Sequence, residues 1–78
     1  MAITVKFFAS LREELGQAET EITNAVQGMT VTQVWEQSTN SHPLPENLLS
    51  AINQEYADLS RYVQDGDEVA FFPPVTGG

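Results

Sequence analysis

Cysteine is absent from the 78 residues, which removes disulfides, thiolate nucleophiles and zinc–thiolate sites together and fits a reducing cytoplasm. Any sulfur chemistry must run through another atom. Long apolar runs are missing as well: the longest, Val69 to Phe72, falls far short of the roughly 20 residues that a membrane span needs. No membrane partner is expected. An export signal is not expected either, because Lys6 sits inside an alternating apolar pattern with no small-residue cleavage site after it. Positive charge is scarce. Lys6, Arg12 and Arg61 face eleven acidic residues, for a net charge of −8, and such a chain repels polyanions over a Debye length of about 8 Å. Nucleic acid is thereby excluded as a partner. The single histidine, His42, stands between Ser41 and Pro43 with no orienting partner and no cysteine to activate, so neither a triad nor a general base is expected. Asp65, Asp67 and Glu68 bunch together without the longer fixed spacing of a calcium loop, and Gly16, Gly28 and Gly66 stand alone rather than forming a phosphate loop. No metal site is expected.

What is present is one small domain, residues 1–78, built from short periodic segments. Ile3, Val5 and Phe7 alternate with Thr4, Lys6 and Phe8, the period-two pattern of a half-buried strand with its odd positions toward the core. Ser10, with Glu13 three residues on and Gly16 after Leu15, reads as a short helical turn opened by a capping box and closed by glycine. Glu19 to Thr23 alternates again and is expected to pair antiparallel with the first strand. Thr30 precedes Val31, Val34 and Trp35, with Gln33 three places on; a capped main helix would carry those three apolar residues on one stripe. It should stop before His42-Pro43, since the residue before a proline is pushed out of the helical region, which leaves 38–45 as a loop. Leu48 to Ile52 reads as an apolar strand, Asn53-Gln54 and Asp65-Gly66 as turns, the latter with its acids in water. Tyr56 to Val63 has no pattern that assigns it. Glu68 to Phe72 is a final strand with Val69 and Phe71 on one face. The order describes an α+β roll, a mixed sheet with one main helix on one face, and the apolar final strand is expected beside the first at the sheet centre.

The remaining feature is Phe72-Pro73-Pro74-Val75-Thr76-Gly77-Gly78. Two rigid prolines lead a strand outward into residues without side chains. Six residues beyond Phe72 span up to about 20 Å when extended, enough for a tail over 73–78 to enter a partner's cleft. Gly77 and Gly78 lack Cβ atoms, so their backbone can pass a constriction that would block any other residue. The reactive group would be the α-carboxylate, which with a pKa near 3.5 is ionised and inert toward nucleophiles until it is activated, for instance as an acyl-adenylate. A bare flexible tail explains the same residues equally well from composition alone.

Val5-Lys6-Phe7-Phe8-Ala9, Leu11-Arg12-Glu13, Ala51-Ile52-Asn53-Gln54 and the fourteen residues from Asp65 to Gly78 together resemble the small, sulfur-carrying subunits of molybdopterin synthases, whereas Gln17 to Glu46 matches only in helix position and spacing. The resemblance implies a ubiquitin-like β-grasp fold. It also implies a cycle: a ubiquitin-activator-like adenylating enzyme uses ATP to place AMP on the Gly78 carboxylate, and a sulfur donor protein converts it to a thiocarboxylate. The large subunit then accepts that sulfur onto a cyclic pterin precursor. Catalytic groups would lie on the large subunit, with two large subunits at the centre of a heterotetramer and one small subunit at each end. On the same pattern Phe72, Pro73, Pro74, Val75, Thr76 and Gly77 line the partner channel, and Phe7 with the neighbouring sheet surface forms the docking face. Alternation instead places Phe7 and Phe71 in the core and leaves Phe8 and Phe72 as the exposed aromatics, which on a small acidic domain suggest an interface.

Rival readings share the fold and the Gly-Gly end. A sulfur carrier for thiamine thiazole synthesis fits less well with the Pro73-Pro74 pair. A ubiquitin-like modifier joined through Gly78 to lysines would, in its members closest to ubiquitin, carry a basic residue where Val75-Thr76 stands. A binding module with an inert tail is the third.

Overall fold

The computed structural model describes residues 1–74. Their elements run β1 (Ile3–Phe7), α1 (Ser10–Leu15), β2 (Glu19–Ile22), α2 (Val31–Ser38), β3 (Leu49–Ile52), β4 (Glu55–Tyr56) and β5 (Glu68–Phe72). The five strands form one sheet in the order β2-β1-β5-β3-β4. β1 and β5 are parallel neighbours at its centre, and every other pairing is antiparallel. With α2 on one face, this is the α+β roll of a β-grasp domain.

Alternation decides the two faces. Ile3, Val5 and Phe7 of β1 and Val69 and Phe71 of β5 are buried together with Val31, Val34 and Trp35 of α2. Three aromatic rings fill the centre of this core: Phe7 stacks on Phe71 at 6.0 Å, and Trp35 meets Phe71 edge-on at 5.1 Å and Phe7 at 6.1 Å. The Trp35 indole N–H, which would be unsatisfied in an apolar core, donates to the His42 carbonyl at 2.8 Å. That bond, with the His42 ring edge-on to Trp35, makes the single histidine a packing element of the loop after α2.

α2 forms as its sequence dictates. The Thr30 side chain accepts from the Gln33 backbone N–H while the Gln33 side chain accepts from the Thr30 N–H, a complete capping box. The next N–H groups of the first turn, those of Val31 and Thr32, donate to the carbonyls of Arg61 and Leu59 at 2.9 Å. The helix start is thus closed by the chain itself. α2 ends at Ser38, earlier than Pro43 requires, because the hydroxyl of Thr39 bonds back to the Trp35 carbonyl and Asn40 and Ser41 take positive φ values of 57° and 62°.

One local expectation fails. At α1 the capping box is not formed: Ser10 is the first helical residue, and the position before it is Ala9 at φ 55°, with no side-chain cap. The Phe8 N–H still bonds to the Phe71 carbonyl in the sheet ladder, so the chain must turn within one residue, and that turn uses Ala9. Gly16 does close the helix, at φ 69°. The acids near Asp65 stay at the surface, Asp65 exposed and Asp67 half-buried, and also serve as acceptors. Asp65 accepts from the Ala2 N–H at 2.7 Å, and Asp67 accepts from the Asn53 side chain and the Gln64 N–H. They clamp the start of β5 to the N-terminal residues and to the β3–β4 turn.

Candidate functional site

The open face of the sheet carries the alternate residues of the same strands. Thr4 and Lys6 of β1, followed by Phe8, and Glu68, Ala70 and Phe72 of β5 stand opposite the core residues between them. At the centre of this face Ala70 lies beside Ala51 of β3 and beside Lys6 of β1. Two such short side chains leave a depression of about 340 Å³, walled by Phe8, Tyr56 and Phe72 and, at the other end, by Lys6 and Glu68. Phe8 is 41% exposed and Tyr56 75% exposed. Phe72 is half-buried rather than open, because the Tyr56 ring leans on it at 5.8 Å. Phe7 is 1% exposed, as alternation predicts, so it presents no surface for the docking face in which the resemblance placed it.

Lys6 Nζ sits 2.6 Å from Glu68 Oε1, the one ion pair among the described residues. The hydrogen bond from Lys6 to Glu68 and the charge of that carboxylate raise the lysine pKa above its ordinary value, with Glu19 acting in the same direction. Glu19 faces Lys6 across the β1–β2 register.

This face lies beside the point where β5 leaves the sheet. β1 and β5 run parallel and reach the same edge, where β1 turns aside at Ala9 into α1 while β5 runs on into Pro73 and Pro74. A proline has no N–H to donate to a ladder, so pairing stops at Phe72. Pro73 is half-buried and Pro74 exposed. Val75, Thr76, Gly77 and Gly78 lie outside the described residues.

Sequence reasoning missed Tyr56. A signal existed: a two-residue turn at Asn53-Gln54 sets residue 56 opposite Ala51, and so on the open face. The Lys6–Glu68 pair left no such signal, since it depends on the parallel register of two strands sixty residues apart in the chain. Among the described residues no helix is long and apolar enough to cross a membrane.

Against known proteins, the family model described as the ThiS family matches residues 5–78. The chain is 39% identical to the molybdopterin synthase sulfur carrier subunit of Escherichia coli over 97% of this chain and 99% of that protein. It is 30% identical to the human subunit of the same name, over 97% and 93%. Its fold is similar to that of SAMP1, a small archaeal modifier protein from Haloferax volcanii, with a TM-score of 0.83 and 28% identity over the whole of both chains.

Proposed function

The chain belongs to the ThiS family, and from that membership and the end of β5 we propose that it is the sulfur carrier subunit of a molybdopterin synthase, with Gly78 as the carrier residue. The observation that carries the reading is structural: the central strand leaves the sheet at Pro73-Pro74 beside an open groove. A domain built this way can be held by its groove while the residues beyond are presented to a second protein's active site. Similarity over nearly the full length of named sulfur carrier subunits supports the assignment.

In this reading the Gly78 carboxylate attacks the α-phosphorus of ATP on an adenylating enzyme, and pyrophosphate leaves. A sulfur donor protein then replaces AMP, and the carboxyl end becomes a thiocarboxylate. Sulfur is the softer and better nucleophile, so it can attack a cyclic pterin precursor held by the large subunit, toward the dithiolene that binds molybdenum. This chain does no catalysis itself: it carries the reacting atom, and the large subunit supplies the acid-base groups. ATP and the sulfur donor act on Gly78 without being resident cofactors. The groove of Phe8, Tyr56 and Phe72 is the docking face for the large subunit, with Pro73 to Gly77 leading into its channel. The cysteine-free composition supports a cytoplasmic setting.

Single-turnover sulfur transfer tests this. Deleting Gly78 shortens the reach by up to about 3.5 Å, where a reacting atom must come within roughly 3.5 Å of its target, and should abolish transfer. Gly77→Val keeps the carboxylate and the length but adds a branched side chain, and it should slow transfer steeply with no change in melting temperature. Wild-type rates in either variant would overturn the carrier reading. The likeness to SAMP1 favours a second reading, conjugation through Gly78 to lysines of other proteins; isopeptide-linked products in cells would reveal it.

A further inference from the structure

Lys6 is the chain's only lysine; the other two basic residues are arginines, whose guanidinium groups do not serve as nucleophiles near neutral pH. It also lines the groove that contains Phe72. The six residues from Pro73 to Gly78 can span up to about 20 Å, so chain length alone allows an activated carboxyl end to return to this lysine, and a second copy could present its own.

We propose that Glu68 masks Lys6 from acylation by the activated Gly78 end, keeping the carrier from consuming its own activated form. The inference rests on the reading of Gly78 as an activated carboxylate. In the reaction that is prevented, the lone pair of Lys6 Nζ attacks the carbonyl carbon of the acyl-adenylate. A C–N bond forms, the C–O bond to phosphate breaks, AMP departs with that electron pair, and a proton from nitrogen passes to solvent. Only the free amine can do this. In the structure Nζ is held as an ammonium 2.6 Å from Glu68 Oε1, with Glu19 opposite it on β2. Side-chain exposures of 39% and 29% for Lys6 and Glu68 show both partners partly enclosed by the face. The raised pKa of Lys6, due first to Glu68 and then to Glu19, agrees with that geometry. The pair costs the carrier nothing in reach, because the thiocarboxylate works in a partner's cleft while the ammonium stays on the sheet.

Acetylation of the full chain by an N-hydroxysuccinimide ester, followed residue by residue with peptide mass spectrometry, tests the masking without requiring activation of Gly78. In Glu68→Gln, Lys6 should react about two- to fivefold faster than in the wild type, the range that a partly exposed ion pair commands, with the Met1 α-amine unchanged. Equal Lys6 rates in the two proteins would overturn the proposal, as would an equal rise at Met1 and Lys6, which reports general loosening. Incubation with the adenylating enzyme, ATP and Mg²⁺ but no large subunit forms the second arm. A Gly78–Lys6 isopeptide should accumulate faster in Glu68→Gln than in the wild type, and equal accumulation would count against masking. Absence of AMP on Gly78 in that arm would strike the carrier reading instead, while the acetylation rates still decide the masking.

Discussion

On β1 the residues Ile3, Val5 and Phe7 are buried against α2, while Thr4, Lys6 and Phe8 between and beyond them reach the opposite side of the sheet; β5 repeats this with Val69 and Phe71 inward and Glu68, Ala70 and Phe72 outward. The inner face is closed by three interlocked rings and a helix. The outer face keeps two alanines at its centre, aromatic rings at its rim, and, among the described residues, no element over them. One face is covered by the chain's own residues, and the other is the face we propose for the partner. Stability and recognition are therefore separable by changing the parity of the mutated position.

The largest effect expected from breaking that division is on the inner face. Trp35→Ala should cost about 3 to 5 kcal/mol where the site cannot collapse, read as a lowered midpoint in urea unfolding. A loss below the cost of an ordinary surface substitution would show that the aromatic cluster does not hold the core. Truncating the rim aromatics of the outer face should leave that midpoint in place. Phe8→Ala or Tyr56→Ala should instead weaken binding to the large subunit by about 1 to 2 kcal/mol, as truncated aromatic anchors do, measured by calorimetry. A stability loss without a binding loss would reverse the assignment of the faces. Thr30→Ala, which removes one half of the α2 capping box, should cost about 1 kcal/mol of stability and leave binding unchanged.

The smallest effect concerns pH. Lys6 has its pKa raised above 10.5 by Glu68, so the pair's contribution to stability is fully present below the ordinary lysine pKa and is lost as pH rises through the elevated one. The stability difference between wild type and Glu68→Gln should persist at neutral pH and vanish in strongly alkaline solution. A difference that grows with pH would contradict the pairing.

Much of this division was legible in the sequence because it depends on local periodicity. Alternation along Ile3 to Phe7 and Glu68 to Phe72 was enough to place Phe7 and Phe71 inward, and Thr30 with Gln33 marked the start of α2. Features set by distant contacts were not. The Ser10–Glu13 spacing fits a cap, yet the sheet bond made by Phe8 forces the turn onto Ala9. β4 is two residues long, too short to show a period, and it exists because Asn53 and Gln54 adopt φ values of 50° and 71°. That turn is held from outside: Asn53 donates to Asp67 and accepts from the Glu68 N–H, each at 2.9 Å. Half-burial of Phe72 follows from Tyr56 on β4, so missing the strand also meant misjudging the ring.

The central claim is that Gly78 leaves this fold as a carrier of sulfur, and the intact mass of the protein isolated from cells making molybdenum cofactor tests it most directly. The account predicts a fraction of the chain heavier by the replacement of one oxygen with sulfur. Fragmentation should confine that change to the carboxyl group of Gly78, and it should be absent when the adenylating enzyme is deleted. A carboxyl end bearing only oxygen under those conditions, with the large subunit bound, would contradict it.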